Sequence, residues 1–426
     1  MAAMDSTPFR DLLLHPAVQA LVAAAGKVET HLVGGVLRDN ALGLPLKDID
    51  AVVASRGKEI AERLAETLPA RLVLLGGKEF AAYRLVAQDL DVDLWDRAGT
   101  TLHEDLARRD FTVNSFALEP HTGTLTDPFD GLGDLARRLL RATTAESFSG
   151  DPLRVLRLPR LLLRLPGFSA DPATVELARQ SVPHLTRVAA ERVRDELTFL
   201  LEPEDAGRGV ALLVALGVYP GLWLDQPGAP LPAGCVLAEG EALRGRLHDL
   251  QQVDAEAAAA ADGRIARHAI LLRNLPLSPT HGTLRDVLAR VRDAGYLTRQ
   301  TTEDVALVLA LDDLPVDEVD LRRFLHRAKH QWSTAICALG ARWTAGEGLT
   351  RWQAVLPRLA DLARREGEAL FDPPRLITGA DVQDLLGIPP GREVGRLLDA
   401  VRSAQVDGHV RTREEAEAVV RYRSTG

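Results

Sequence analysis

Cysteine is nearly missing from this 426-residue chain. The two present, Cys235 and Cys337, are too few for a disulfide framework or a four-thiolate zinc site, which predicts reduced thiols and a cytoplasmic protein. Lysine is almost as scarce: Lys27, Lys47, Lys58, Lys78 and Lys329 are the only ones among 51 basic residues. The remainder are arginine, and beside so much Ala, Leu and Gly this bias reads as GC-rich coding. An arginine alone therefore says little about function. Long hydrophobic runs are also lacking. The uncharged stretch from Gly209 to Leu224 falls short of the roughly 20 residues that cross a bilayer, and it contains Gly and Pro. No basic segment followed by an apolar core marks the start of the chain as a secretory leader. Positive charge is in deficit, 51 Lys and Arg against 60 Asp and Glu, a net charge of −9. Taken alone, that balance argues against a nucleic-acid partner, because phosphate contacts need positive charge.

What is there is a globular composition, 46% hydrophobic and 26% charged, in a chain long enough for several packed units. Strand-like runs at His31–Val33, Ile49–Ala54, Arg71–Leu75, Tyr83–Val86 and Leu90–Trp95 alternate with helical patterns at Val36–Leu42 and Lys58–Leu68. These predict a small α/β head over the first 135 residues. From about Ala136 strand signals nearly vanish, and Leu153–Leu165, Pro172–Gln180, Ala189–Leu201 and Ala255–Ala261 read as helices. Pro/Gly clusters at Pro227–Gly234 and Leu275–Pro279 read as loops between helices.

The chemistry concentrates in the head. Gly34-Gly35 ends a strand and opens a helix, with Arg38 one turn in. Such a turn either needs positive φ or presents backbone N–H groups to an anion. It does not match GxGxxG, so a Rossmann dinucleotide site is unsupported. Asp48-Ile49-Asp50 follows nine residues after Asp39, and residues i and i+2 of a strand share a face. Two carboxylates held so close need a cation, and beside a phosphate-cradling loop they suit magnesium ions in a phosphoryl displacement. Asp91-Val92-Asp93 repeats the alternation; Asp93 is either a third catalytic acid or part of a charge-protected edge strand. In Arg108-Arg109-Asp110-Phe111-Thr112-Val113-Asn114, Asp110 is expected to hold an arginine, Arg109 to face a triphosphate and Asn114 to bond nearby backbone. Asp127-Pro128-Phe129-Asp130-Gly131 reads as a turn capping a helix that carries Asp134. Asp151 precedes a helix on which Arg154, Arg157 and Arg160 recur every three residues, with a kink expected at Pro159. An Asp that accepts and an Arg that donates can together satisfy the edge of a base.

In this order GGVLRD, DID, RRDFTVNSFAL, DPFDG, DPLRVLR and AAERVRDEL resemble the motif set of bacterial tRNA nucleotidyltransferases and their poly(A) polymerase relatives. The resemblance covers residues 30 to 200, returns in the stretch from Ile377 to Ala416, and is loose over Gly217–Leu370. It implies an α+β fold: a polymerase-β-like nucleotidyltransferase head with a mixed sheet over residues 1–135, then an elongated all-α neck (136–201), body (202–370) and tail (371–426). It implies that Asp48 and Asp50 hold catalytic Mg2+, that Gly34, Gly35, Arg38, Arg109 and Asn114 bind the incoming nucleotide, and that Asp151 and Arg154 select the base, supported by Arg157 and Arg160. Glu191 and Arg192 would orient the base-selecting helix. The implied partners are tRNA and CTP, with ATP as an alternative nucleotide, and neither a membrane nor DNA.

Three departures sharpen the expectation. Gly150 stands where the family has an acidic residue before the Asp. Only ten residues separate Asp93 from Glu104, where full CCA-adding enzymes carry a longer flexible loop. The short link resembles CC-adding members, which leave the terminal adenosine to a separate A-adding enzyme. Where some relatives present a His-Asp hydrolase helix, this chain has Ile270-Leu271-Leu272-Arg273, and His248-Asp249 reads as surface polarity, so no phosphohydrolase activity is expected. Charge distribution tempers the opening balance. Between Arg137 and Arg164 seven arginines face only Glu146 and Asp151, a local +5 that points to RNA.

Overall fold

The computed structural model describes residues 9–424 apart from 76–81, 89, 98, 202–205, 225–232, 276 and 278–281. The expected loop Pro227–Gly234 falls mostly outside the described residues, as does much of Leu275–Pro279. The chain divides into two compact units, Met1–Val188 and Ala189–Gly426. The division falls inside the expected neck, so the Arg-bearing helix belongs to the first unit.

Alternation of apolar and polar residues builds the sheet of the first unit. Its described strands are β1 (Thr30–Val33), β2 (Asp48–Val53), β3 (Arg71–Leu75), β4 (Ala82–Val86), β5 (Asp91–Asp96), β6 (Ala117–Leu118) and β7 (Leu125–Thr126). Their order is β3-β4-β5-β2-β1-β6-β7. Only β2 and β5 run parallel, and the neighbouring pairs on either side are antiparallel, so the sheet is mixed. Parallel neighbours need a crossover, supplied by the helix Gly57–Thr67 and the β3–β4 pair.

On one face Ile49, Ala51 and Val53 of β2, with Val92 and Leu94 of β5, are fully buried in a cluster with Val18, Leu21, Ile60 and Leu64 from the helices Pro16–Ala25 and Gly57–Thr67. The period of two therefore turns Asp48, Asp50 and Val52 to the opposite face. There Val52 packs with Val33, Leu106 and Ala117, while the two carboxylates lie nearer the start of the strand.

The short strands β6 and β7, and a further parallel pair Leu139–Leu140 with Ser169–Ala170, were not expected from the sequence. Each is two residues long, too short to show alternation. The helix Gly131–Arg137 begins as the turn motif predicts: the Asp127 carboxylate accepts from the N–H groups of Gly131 (2.8 Å) and Leu132 (2.9 Å). The helix Arg154–Arg164 runs through Pro159 without a break.

All the regular elements among the described residues of the second unit are helices. Its last three helices, Gly379–Leu386, Arg392–Val406 and Arg413–Ser424, enclose a small core of their own that includes Val382, Leu397, Val401, Ala416 and Val420.

Candidate active site

The site is assembled where β1 gives way to the helix Gly35–Ala41. Gly34 adopts φ +76 and ψ −140, a conformation essentially reserved for glycine. A Cβ there would lie 2.8 Å from Asp50 Oδ2 and 3.0 Å from an Arg109 guanidinium nitrogen. Both the backbone angle and the close approach therefore require Gly. The Gly35 N–H donates to Asp50 Oδ2 at 3.3 Å, so the glycine turn holds this carboxylate directly.

Burial, then the adjacent Asp48, push the Asp50 carboxyl up to about 6, against the opposing pull of Arg109 and the Gly35 N–H. This is the electrostatic signature of a negative pair short of positive charge. Hard carboxylate oxygens in that state fit a divalent cation. Among the described residues no group of three or more His, Cys, Asp or Glu side chains is arranged to hold a metal, so Asp48 and Asp50 would leave remaining positions to water and phosphate oxygens.

Beside the pair runs a buried polar network. Arg38 donates from Nε to Asp39 Oδ1 (2.8 Å) and from Nη1 to Asn114 Oδ1 (2.7 Å). Asn114 donates onward to Asp110 Oδ1 at 2.9 Å, so its amide bonds side chains and not the backbone expected from the sequence. Asp110 does hold an arginine, but it is Arg157, at 3.3 Å. Burial opposes charge on Asp110, yet Arg157, the Asn114 amide and the Phe111 N–H together hold its carboxyl below the ordinary value. Arg109 donates to Asp105 Oδ2 at 3.0 Å, one turn back.

Arg154 is placed differently from a free base reader. Its guanidinium donates to the carbonyls of Ser147 (2.9 Å), Arg109 (3.3 Å) and Arg108. It therefore ties the start of its helix to the Arg108-Arg109 backbone.

Gly34, Gly35, Arg38, Asp48, Asp50, Arg109, Asn114, Arg154, Arg157 and Arg160 line one cavity of about 480 Å³. Asp93 and Asp151 are not among its lining residues. Asp93 is buried, and Arg84 of β4 grips both its oxygens, with Nε 2.7 Å from Oδ1. Since β5 lies between β4 and β2, the edge-strand reading of Asp91–Asp93 does not hold. Asp151 Oδ1 accepts from the Leu153 N–H at 3.3 Å, a local turn ahead of the helix. Sequence reasoning missed Asp39, Asp105 and Arg164, which also line the cavity. The i, i+4 spacing of Asp105 and Arg109 was a usable signal; nothing local marks Arg164. In the second unit, Ile270, Leu271 and Leu272 are buried, His248 is exposed and Asp249 pairs with Arg246 at 2.7 Å. No described helix is long and apolar enough to cross a membrane.

A mixed sheet that offers two carboxylates to a cavity walled by a glycine turn and arginines is the head of a nucleotidyltransferase. A family model described as the poly(A) polymerase head domain matches residues 30–141, and one described as a probable RNA and SrmB-binding site of polymerase A matches residues 167–225. The CC-adding tRNA nucleotidyltransferase of Geobacter sulfurreducens is 30% identical, covering 94% of each chain. The A-adding tRNA nucleotidyltransferase of Deinococcus radiodurans is 32% identical, covering 91% of this chain and 94% of its own. The solved structure of the Thermotoga maritima CCA-adding enzyme complexed with tRNA shares the fold, with a TM-score of 0.67 at 23% identity over 100% of both chains. The chain belongs to the tRNA nucleotidyltransferase family and is a nucleotide-transferring enzyme.

Proposed function

We propose that this enzyme adds cytidines from CTP to the 3′ end of tRNA and stops before the terminal adenosine, leaving that residue to a separate A-adding enzyme. The observation that carries the CC-only reading is the link between β5 and the helix Leu102–Ala107. Arg97, Thr100 and Thr101 in it are tied down. The Arg97 N–H donates to Val53 O (2.9 Å) and its guanidinium pairs with Glu29 (2.6 Å). The Thr100 hydroxyl donates to Arg97 O (2.9 Å), and Thr101 with Glu104 forms a capping box. So short a link, held at Arg97, Thr100 and Thr101, leaves little freedom to re-aim the base-selecting side chains from C to A. The Geobacter relative's name favours this reading, and the Deinococcus relative's name makes A addition the second one.

In the reaction the tRNA 3′ hydroxyl attacks the α-phosphorus, a new P–O bond forms, and the bond to the β-phosphate oxygen breaks to release pyrophosphate. Asp48 and Asp50 would hold the divalent cation, Mg2+ in this reading, which supplies charge neutralisation and eases deprotonation of the hydroxyl. Arg109, set between Asp105 and Asp50, offers positive charge to the triphosphate. Arg157 and Arg160 bring donors to the side of the cavity where a base would lie, while Arg154, bonded to the carbonyls of Ser147, Arg109 and Arg108, holds the start of their helix in place behind Asp151. Discrimination follows because a wrong base leaves such groups unpaired. Residues 1–135 serve as catalytic head, 136–201 as neck, 202–370 as body and 371–426 as tail, the helical parts cradling tRNA by shape and phosphate contact in the cytoplasm.

Incubation of the purified protein and Mg2+ with tRNA lacking its CCA end, CTP and ATP tests the proposal. Products two cytidines longer are expected; efficient addition of the terminal A would overturn the CC-only reading, and addition of A alone to tRNA already ending in CC would establish the second.

A further inference from the structure

Beyond the tie that Arg154 makes at its start, the helix Arg154–Arg164 is fastened at two carboxylates on one face, through Arg157 and Arg164, seven residues apart. Arg164 Nη2 donates to Asp39 Oδ2 at 2.6 Å. Asp39 Oδ1 accepts from Arg38, Arg38 donates to Asn114, and Asn114 donates to Asp110. Asp110 Oδ2 then faces Arg157 at 3.3 Å. The contacts leave the helix at Arg164 and return to it at Arg157, which makes a closed circuit of alternating acceptors and donors. Its four inner members, Arg38, Asp39, Asp110 and Asn114, are all buried.

Two attachments on one face, two turns apart, fix the tilt of the helix, and any rotation about its axis would pull both from their partners. Arg160 sits between the two attachments and lines the cavity. Rotation of the helix is therefore the aim of its donors. Hydrogen-bond discrimination between bases depends on that aim, because small misplacements forfeit much of the gain.

We propose that Asp39 and Arg164 are a positioning pair for nucleotide choice, which act through the helix and touch none of the reacting atoms. The inference rests on the nucleotidyl-transfer reading above. It is tested by measuring kcat/KM for CTP and for ATP on tRNA lacking its CCA end, in the wild type, Arg164→Gln, Arg164→Lys, Asp39→Asn and the Arg164→Gln/Asp39→Asn double variant. Arg164→Gln should lower the CTP-to-ATP ratio about tenfold, and the double variant should lose no more than the worse single variant, since both cut the Arg164–Asp39 contact and Asp39→Asn also weakens the hold on Arg38. Arg164→Lys, which keeps a charge facing Asp39, should recover part of the ratio. A wild-type ratio in Arg164→Gln, losses that multiply in the double variant, or no recovery with Lys would each overturn the pair. Absence of transfer by the wild type would instead sink the functional reading on which it rests.

Discussion

Asp50 carries a conflict the polypeptide alone does not relieve. Burial and Asp48 raise its carboxyl to about 6, so the folded, metal-free protein takes up a proton more readily than the unfolded chain. Stability from this group is therefore full below the ordinary carboxylate range and is lost as pH rises through about 6. The metal-free protein should accordingly lose melting temperature between about pH 4 and pH 7 relative to Asp50→Asn, which lacks the titration. A divalent cation binds the carboxylate form and should reverse that loss in the wild type alone; calorimetry with EDTA and then with Mg2+ reads both effects. At this scale the sequence was informative wherever spacing forces proximity. Asp48 and Asp50 share a face by the period of the strand, and Gly34 and Gly35 meet them because β1 and β2 are neighbours. It was uninformative about where each guanidinium goes. Arg154 caps the carbonyls of Arg109 and Arg108, 45 and 46 residues away, and Arg157 seeks Asp110, partnerships that no local pattern reveals.

Between elements, the joint that matters most is made by Asp134, whose side chain is fully buried. Its carboxylate accepts from the Thr112 hydroxyl (2.6 Å), Arg137 (2.7 Å) and Arg141 (2.8 Å), joining the helix Gly131–Arg137 to the turn that carries Asn114. Asp134→Ala strands the buried Thr112 hydroxyl. It should cost about 2 kcal/mol in urea unfolding, with nucleotide affinity falling as Asn114 loses support. The strands from β1 to β5 and the helices Gly35–Ala41 and Gly57–Thr67 lie within about one residue of their expected positions, since each is long enough to display a period, whereas Pro16–Ala25 and Leu102–Ala107 were not expected. The two-residue strands were invisible, because pairing and not pattern defines them. Asp93 shows the same limit: alternation placed it on the right face, but only the neighbouring strand reveals that Arg84 already holds it.

For the molecule as a whole, charge counted along the chain is a poor proxy for charge offered to a partner. Of the seven arginines between Arg137 and Arg164, Arg137, Arg141, Arg157 and Arg164 pair with Asp130, Asp134, Asp110 and Asp39, all outside that segment. The local +5 is thus largely neutralised within the fold. Arg137→Gln and Arg141→Gln should leave the salt dependence of tRNA binding unchanged, whereas loss of a phosphate-contacting arginine flattens the log–log slope by about one unit. Filter binding across a KCl series distinguishes the two. The division at Val188 was likewise beyond the sequence, because helical texture continues across it and only packing separates the units. One last consequence follows from the paired register of β2 and β5, in which Asp48 faces Asp91 and Asp50 faces Asp93. Sliding either strand by a single residue during collapse would drive carboxylates into the oily layer and expel Ile49, Ala51 or Val92 from it. These acids therefore also act as a safeguard against misassembly, and a variant that neutralises Asp48 or Asp50 for chemical reasons removes a guard on folding as well.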